Sequence, residues 1–129
     1  MNTWRHSAAN HIITRLHNEI YKTLSVDAHV LAMMGIRSLI DEIIKIKLGV
    51  DGTFKQNLES FYEKRHISEP DKKTIETVLG LGHAATHRGH VPKKEDVNAA
   101  LDICETLMQT VIINPIKAGQ LKFPEKKKS

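Results

Sequence analysis

The stretch VDAHVLAMMGIRSLIDEIIKIKL, residues 26–48, decides the fold of this chain. Its apolar side chains fall on more than one side of a helix, which is typical of a helix surrounded by other helices. Five charged residues, among them Arg37 and Asp41, interrupt the apolar run after Val30, so the run does not predict a membrane span. Gly49 ends the pattern. The stretch therefore predicts one central, buried helix.

Helix-start and helix-stop signals surround this segment on both sides. Ser25 or Asp27 is the expected cap of the central helix. Thr53-Phe-Lys-Gln56 reads as a capping box, and Ser68-Glu-Pro-Asp71 reads as a further helix start with proline in the first turn. Asn114-Pro115 is the expected stop of the last helix. The flanking helices are predicted at about 7–24, 53–64, 68–87 and 93–113.

The pattern as a whole predicts an all-α bundle of four to five helices joined by short loops. No segment alternates apolar and polar residues as a strand does. The length of 129 residues suits a single domain, which we assign to residues 1–115. The single cysteine, Cys104, excludes an intramolecular disulfide, and the N-terminus carries no apolar run with a cleavage signal. Both observations favour the cytoplasm.

The net charge of +4 is concentrated near the C-terminus. Five lysines oppose one glutamate after Pro115, while the 14 basic and 14 acidic residues before it cancel. We expect residues 116–129 to form a flexible basic tail. The alternative is that the tail attaches weakly to nucleic acid through its charge. A neutral body with a basic tail does not by itself make a nucleic-acid-binding domain.

The stretch GLGHAATHRGH, residues 80–90, concentrates histidines among small residues. His83 and His87 are four residues apart, which places them on one helix face at a metal-ligand spacing. His90 is the only nearby third candidate, and no cysteine or glutamate stands between them. These three histidines are weak metal candidates, and the sequence predicts no metal and no cofactor.

The same stretch carries the residue types that metal-independent RNA cleavage needs. A ribonuclease of that kind uses a His to move a proton and a cation to hold the phosphate, which His87 and Arg88 could supply. Arg37 and Asp41 lie four apart on the most apolar helix, so their simplest role is a structural ion pair with each other. The alternative is that Asp41 orients His87 while Arg37 faces a shared pocket.

Small residues in this stretch also permit close helix packing. Glycine inside a helix costs up to about 1 kcal/mol, and a close helix crossing compensates for that cost. The predicted neighbour is the central helix or another subunit.

Four segments together carry a family resemblance: NHIITRLHNEIY (10–21), DAHVLAMMGIRSLIDEII (27–44), GVDGTFKQNLESFYEKRHIS (49–68) and GHAATHRGHVPKKEDVNAALDICE (82–105). They resemble a bacterial group of proteins, domain-of-unknown-function family 4145, which is related to the HEPN superfamily. The resemblance covers about residues 4–113. It implies a helical bundle, a two-fold dimer, and a role in phage defence, toxin–antitoxin modules or RNA processing.

The chain departs from the pattern of active HEPN ribonucleases. Those proteins carry an Arg followed about four to six residues later by a His. Before His87 the corresponding positions are Gly80, Leu81 and Gly82. A literal match at Arg5 and His11 lies outside the helix pair that forms the superfamily's site, and we interpret it as coincidence.

Two functions follow. The first is a non-enzymatic, dimerising binding or regulatory module with an RNA or protein partner, and no membrane partner is expected. The alternative is a metal-independent endoribonuclease that uses His87 with Arg88 or Arg37.

Overall fold

The computed structural model describes the backbone of residues 3–49 and 51–124 and the side chains of residues 11–49 and 51–124. Within these ranges every regular element is helical, which confirms the predicted all-α bundle. The elements are α1 (Thr3–Ser25), α2 (His29–Leu48), α3 (Phe54–Glu63), α4 (Glu69–His87), α5 (Lys94–Met108), a π-helical segment (Gln109–Ile113) and α6 (Asn114–Gln120).

Helix α2 is the centre of the bundle, as its sequence predicts. It packs against α1, α3, α4, α5 and the π-helical segment. A fully buried aliphatic side chain contributes about 1.5–3 kcal/mol relative to an exposed one, so this helix holds the others together. Its buried residues are Ala32, Met33, Ile36, Leu39, Ile40, Ile43 and Ile44.

The predicted caps of α3 and α4 are confirmed. The Thr53 hydroxyl accepts from the backbone N–H of Gln56, and the Gln56 side chain accepts from the N–H of Thr53. Ser68 likewise accepts from the N–H of Asp71. Gly49, with φ +68°, closes α2 in the left-handed conformation that glycine adopts without strain. These signals are local, which is why the sequence predicts them correctly.

The start of α2 differs from the prediction. Neither Ser25 nor Asp27 caps it, and the helix begins at His29 after Ala28, which offers no side-chain cap. Asp27 has a positive φ of 56°, and the N–H of Ala28 bonds to the carbonyl of Thr23 at 2.8 Å. A tight turn at the end of α1 therefore takes up the residues that could have capped α2.

Asn114-Pro115 does not stop the last helix, contrary to the prediction. The chain passes from α5 through the π-helical segment directly into α6, with Pro115 in the first turn of α6. The N–H of Asn114 bonds to the carbonyl of Gln109, the i→i−5 pattern of a π-turn. At such a junction proline's missing N–H costs little. Residues 116–120, assigned to the tail from sequence, belong to α6, and Lys126–Lys128 lie outside the described residues.

Cys104 lies on the buried face of α5. Burial raises the pKa of its thiol to about 12, so the thiolate that nucleophilic chemistry needs is scarce near neutral pH. In residues 3–49 and 51–124, no helix combines the length and apolar character needed for a membrane crossing.

Candidate functional site

Arg37 meets α4 at the small-residue stretch. Its aliphatic stem lies directly against Gly82: a Cβ at Gly82 would stand 2.9 Å from the Arg37 Cδ and 3.1 Å from its Cβ. Gly82 is buried, and the same helix face carries the buried side chains of Val78 and Ala85. The predicted close crossing of the fourth helix on the central helix is therefore present, and glycine at position 82 permits it.

The guanidinium of Arg37 turns toward α3. Its central carbon lies 5.7 Å from the centroid of the Phe54 ring, within the range of a cation–π contact. The Nε atom is buried and has no hydrogen-bond partner among the described residues. Among the described residues, this side chain packs on Gly82 and Phe54 and pairs with no carboxylate.

The predicted ion pair between Arg37 and Asp41 is not formed. Asp41 pairs instead with Lys45, whose Nζ lies 3.1 Å from the Asp41 Oδ2. That hydrogen bond raises the pKa of Lys45. Both partners are four residues from Asp41, but the stem of Arg37 is held against Gly82 while Lys45 is not. The i, i+4 spacing allows Asp41 to pair with either Arg37 or Lys45, and tertiary packing decides between them.

Asp41 also borders an open groove between α1 and α2. The groove has a volume of about 580 Å³ and a mixed lining of apolar, acidic and basic side chains. The second carboxylate oxygen of Asp41, Oδ1, is buried without a hydrogen-bond partner among the described residues. The α1 side of the groove is lined by His11, Ile12, Arg15, Leu16 and Glu19.

His87 does not join Arg37 and Asp41. It is the last residue of α4 and is exposed, about 140° around the helix from Gly82, where Arg37 makes its contact. Neither carboxylate oxygen of Asp41 hydrogen-bonds to the His87 ring. Arg88 follows as the exposed C-cap residue, with its N–H bonded to the carbonyl of Ala84. Asp41 therefore does not orient His87 in this arrangement.

His83 and His87 come together on the outer side of α4. Their ring centroids lie 4.4 Å apart with the planes tilted by 41°, and both residues are exposed. His90 follows the helix as an exposed loop residue and is not part of this ring pair. Among the described residues, no group of three or more His, Cys, Asp or Glu side chains is placed to hold a metal ion.

Two further residues share the face of the histidine pair. At about 100° per residue, Glu76, Gly80, His83 and His87 fall within about 60° of arc, and all four are exposed. We call these four residues the outer stripe. Their i, i+4, i+7, i+11 spacing is present in the sequence, but it identifies one exposed face only once the limits of the helix are known.

A second polar cluster, also not predicted, joins α1 to α5. His17 Nε2 lies 2.8 Å from the Glu105 Oε2, and the Tyr21 hydroxyl donates to the same oxygen at 2.9 Å. The His17 and Tyr21 rings meet edge to face at 5.1 Å. The hydrogen bond to Glu105 raises the pKa of Tyr21. This cluster connects two helices at their surface.

Fold and surface together define a small helical-bundle domain. The chain belongs to the family described as Domain of unknown function (DUF4145), whose match covers residues 18–128. Comparison with curated proteins and with solved structures gives no match.

Proposed function

We propose that this chain is a non-enzymatic binding module that pairs with a second copy of itself through the outer stripe of α4. The observation that supports the proposal most directly is the environment of Gly80. A Cβ placed on this residue would have nothing within 4 Å, although the residue lies in the interior of a helix. The packing of the described residues of a single copy therefore gives no reason for a glycine there.

Glycine in a helix interior costs about 0.8–1.0 kcal/mol relative to alanine. At Gly82 the close approach of Arg37 offsets that cost, because no larger residue fits. At Gly80 nothing within the described part of the chain offsets it. A second helix crossing at this point would do so, since a residue without a Cβ lets another surface approach closely.

The outer stripe is complementary to itself in one antiparallel arrangement. In a two-fold pair whose axis passes between positions 81 and 82, Glu76 of one copy stands level with His87 of the other. Gly80 then stands level with His83 of the second copy. Each copy places an imidazole over the other's glycine and a carboxylate beside the other's His87, as an isologous interface requires.

The positions of Arg37 and His87 argue against RNA cleavage by this pair, and Arg88, exposed beside His87, is the other cation of the ribonuclease alternative. A catalytic imidazole and a phosphate-holding cation must converge on one phosphate. Arg37 packs on the buried side of α4 at Gly82, whereas His87 belongs to the outer stripe. The resemblance to HEPN proteins adds a regulatory role in defence or RNA metabolism, with self-association as the property to test first.

Sedimentation equilibrium of the full chain in a chelating buffer tests this function. We expect a reversible dimer for the wild type and a monomer for Gly80→Gln, whose side chain would fill the interface. Gly119→Gln is the control, because a Cβ placed on Gly119 would also have nothing within 4 Å, but this glycine is the next-to-last residue of α6 and not in a helix interior as Gly80 is. A wild-type protein that stays monomeric, or a Gly80→Gln protein that dimerises like the control, would contradict the proposal.

A further inference from the structure

We infer that the outer stripe forms a transition-metal site shared between two copies, with His83 and His87 from one copy and Glu76 from the other. This inference rests on the proposed self-association. It adds a ligand class, a divalent cation of the zinc type, to the same surface.

The histidine pair has the geometry of half a metal site. Zinc binds imidazole nitrogens at about 2.0–2.1 Å in tetrahedral geometry, so two such nitrogens stand about 3.4 Å apart. Ring centroids 4.4 Å apart, on successive turns of one helix, allow this separation through side-chain rotation. Neither ring hydrogen-bonds to another described residue, so metal binding would displace no bond within the described part of the chain.

One copy cannot complete the site. Glu76 is seven residues before His83, which is about 10 Å along the helix axis and beyond the reach of a shared ion. This separation agrees with the absence of any three-ligand group among the described side chains. In the antiparallel pair, however, Glu76 of the second copy stands level with His87. The carboxylate then completes a set of two histidines and one glutamate, which zinc accepts with water in the fourth position.

The charges around the stripe permit a cation there. Lys72 and Lys73 are the lysines of α4 nearest to Glu76 in sequence, and each already has an acidic partner. Lys72 pairs with Glu59 of α3, and Lys73 pairs with Glu69 at 3.7 Å. Glu76 itself has no ion-pair partner within 4.0 Å among the described residues. The hydrogen bond with Glu59 does most to raise the pKa of Lys72, and Glu76 adds a charge attraction without a close contact, so the Glu76 oxygens remain available to a metal ion.

The experiment uses untagged full-length protein, stripped of metal and then compared with and without added Zn²⁺. Isothermal titration gives the stoichiometry, and sedimentation gives the dimer dissociation constant. We expect one zinc ion per chain. Because the dimer has two equivalent sites, free zinc at ten times the site's dissociation constant should tighten the dimer by up to about a hundredfold.

Four variants, three at the proposed ligands and one control, separate the ligands from their neighbours. His83→Gln and His87→Gln should each weaken zinc binding by at least about tenfold, whereas His90→Gln, the control, should not. Glu76→Gln should retain weak binding to the two histidines but lose the tightening of the dimer by zinc. Equal zinc affinity in the His83→Gln and His90→Gln proteins would overturn the site.

The outcomes also distinguish this inference from the proposed function. A dimer in chelator that neither binds zinc nor tightens with it overturns the metal site and leaves the self-association standing. Zinc bound at His83 and His87 with no effect on the dimer overturns the shared ligand. A monomer in both buffers overturns the metal inference and the proposed function together.

Discussion

Gly82 lies so close to Arg37 that a Cβ on the glycine would stand 2.9 Å from the Arg37 Cδ and 3.1 Å from its Cβ. Two residues earlier, a Cβ on Gly80 would have no described atom within 4 Å. Helix α4 therefore holds one glycine that is closely packed and one that is open. Gly82 serves the packing of α4 on α2, and Gly80 is available to a surface outside the chain.

This contrast predicts different effects of two alanine substitutions on stability. Gly80→Ala gains helix propensity and should stabilise the protein by about 0.5–1 kcal/mol. Gly82→Ala gains the same propensity but must push the Arg37 stem away, so it should be less stable than Gly80→Ala by about 1–3 kcal/mol. Urea denaturation measures both, in dilute protein so that self-association does not contribute. Equal stabilities would show that Arg37 moves aside without cost.

The Tyr21–Glu105 hydrogen bond predicts the titration of a tyrosine. It raises the pKa of Tyr21 above the ordinary value of 10.0, because it favours the protonated phenol. Stability from this bond is fully present below pH 10 and is lost as the pH rises through the folded-state pKa. In a Tyr62→Phe background, where Tyr21 is the only tyrosine, tyrosinate absorbance should appear above pH 10.

Glu105→Gln is the matching variant for that titration. It keeps the size of the side chain and removes its charge, so the absorbance change should move to lower pH. An unchanged titration curve would contradict the assigned hydrogen bond. Cys104 precedes Glu105 and has a raised pKa of about 12, so the thiol should contribute little absorbance in the same range.

The sequence predicted those parts of the fold that depend on neighbouring residues. Thr53 and Ser68 cap their helices as expected, since a capping side chain and its N–H partner lie three residues apart. The partner of Asp41 could not be predicted in this way. Arg37 and Lys45 are equally distant from it along the helix, and contacts with Gly82 and Phe54 from other helices decide between them.

The sequence alone predicted neither the π-helical segment nor the outer stripe, for different reasons. The i→i−5 bond that lets the chain continue past Asn114 has no residue pattern that announces it. The spacing of the outer-stripe residues places them on one helix face, but the sequence does not show whether that face is exposed. Its exposure depends on which side of α4 is buried. The burial of Gly82 and Ala85 settles that orientation.

The proposed non-enzymatic role predicts that RNA stays intact. Structured and single-stranded RNA should survive incubation with the wild type and with His87→Ala equally, in a chelating buffer that excludes metal-dependent contaminants. A metal-independent ribonuclease serves as the positive control. Cleavage by the wild type that disappears in His87→Ala would instead establish an endoribonuclease and overturn the non-enzymatic assignment.

The proposed antiparallel register predicts a charge-swap rescue between Glu76 and His87. In that register Glu76→Lys would remove the carboxylate that faces His87 of the second copy, and His87→Glu would place two carboxylates opposite each other. The two-fold axis repeats each contact, and an exposed pair is worth about 0.2–1 kcal/mol, so each single change should weaken the dimer by about 2- to 30-fold. The double variant places opposite charges at both contacts and should recover most of the loss.

Sedimentation in low-salt, metal-free buffer measures this cycle, because salt screens exposed charges. Glu63→Lys is the control, since it makes the same change in net charge at an exposed position on α3. Circular dichroism of each variant verifies that the helices are retained. If the loss of dimerisation free energy in the double variant equals the sum of the losses in the two single variants, Glu76 and His87 do not face each other. The two copies then pair in another register or through another surface.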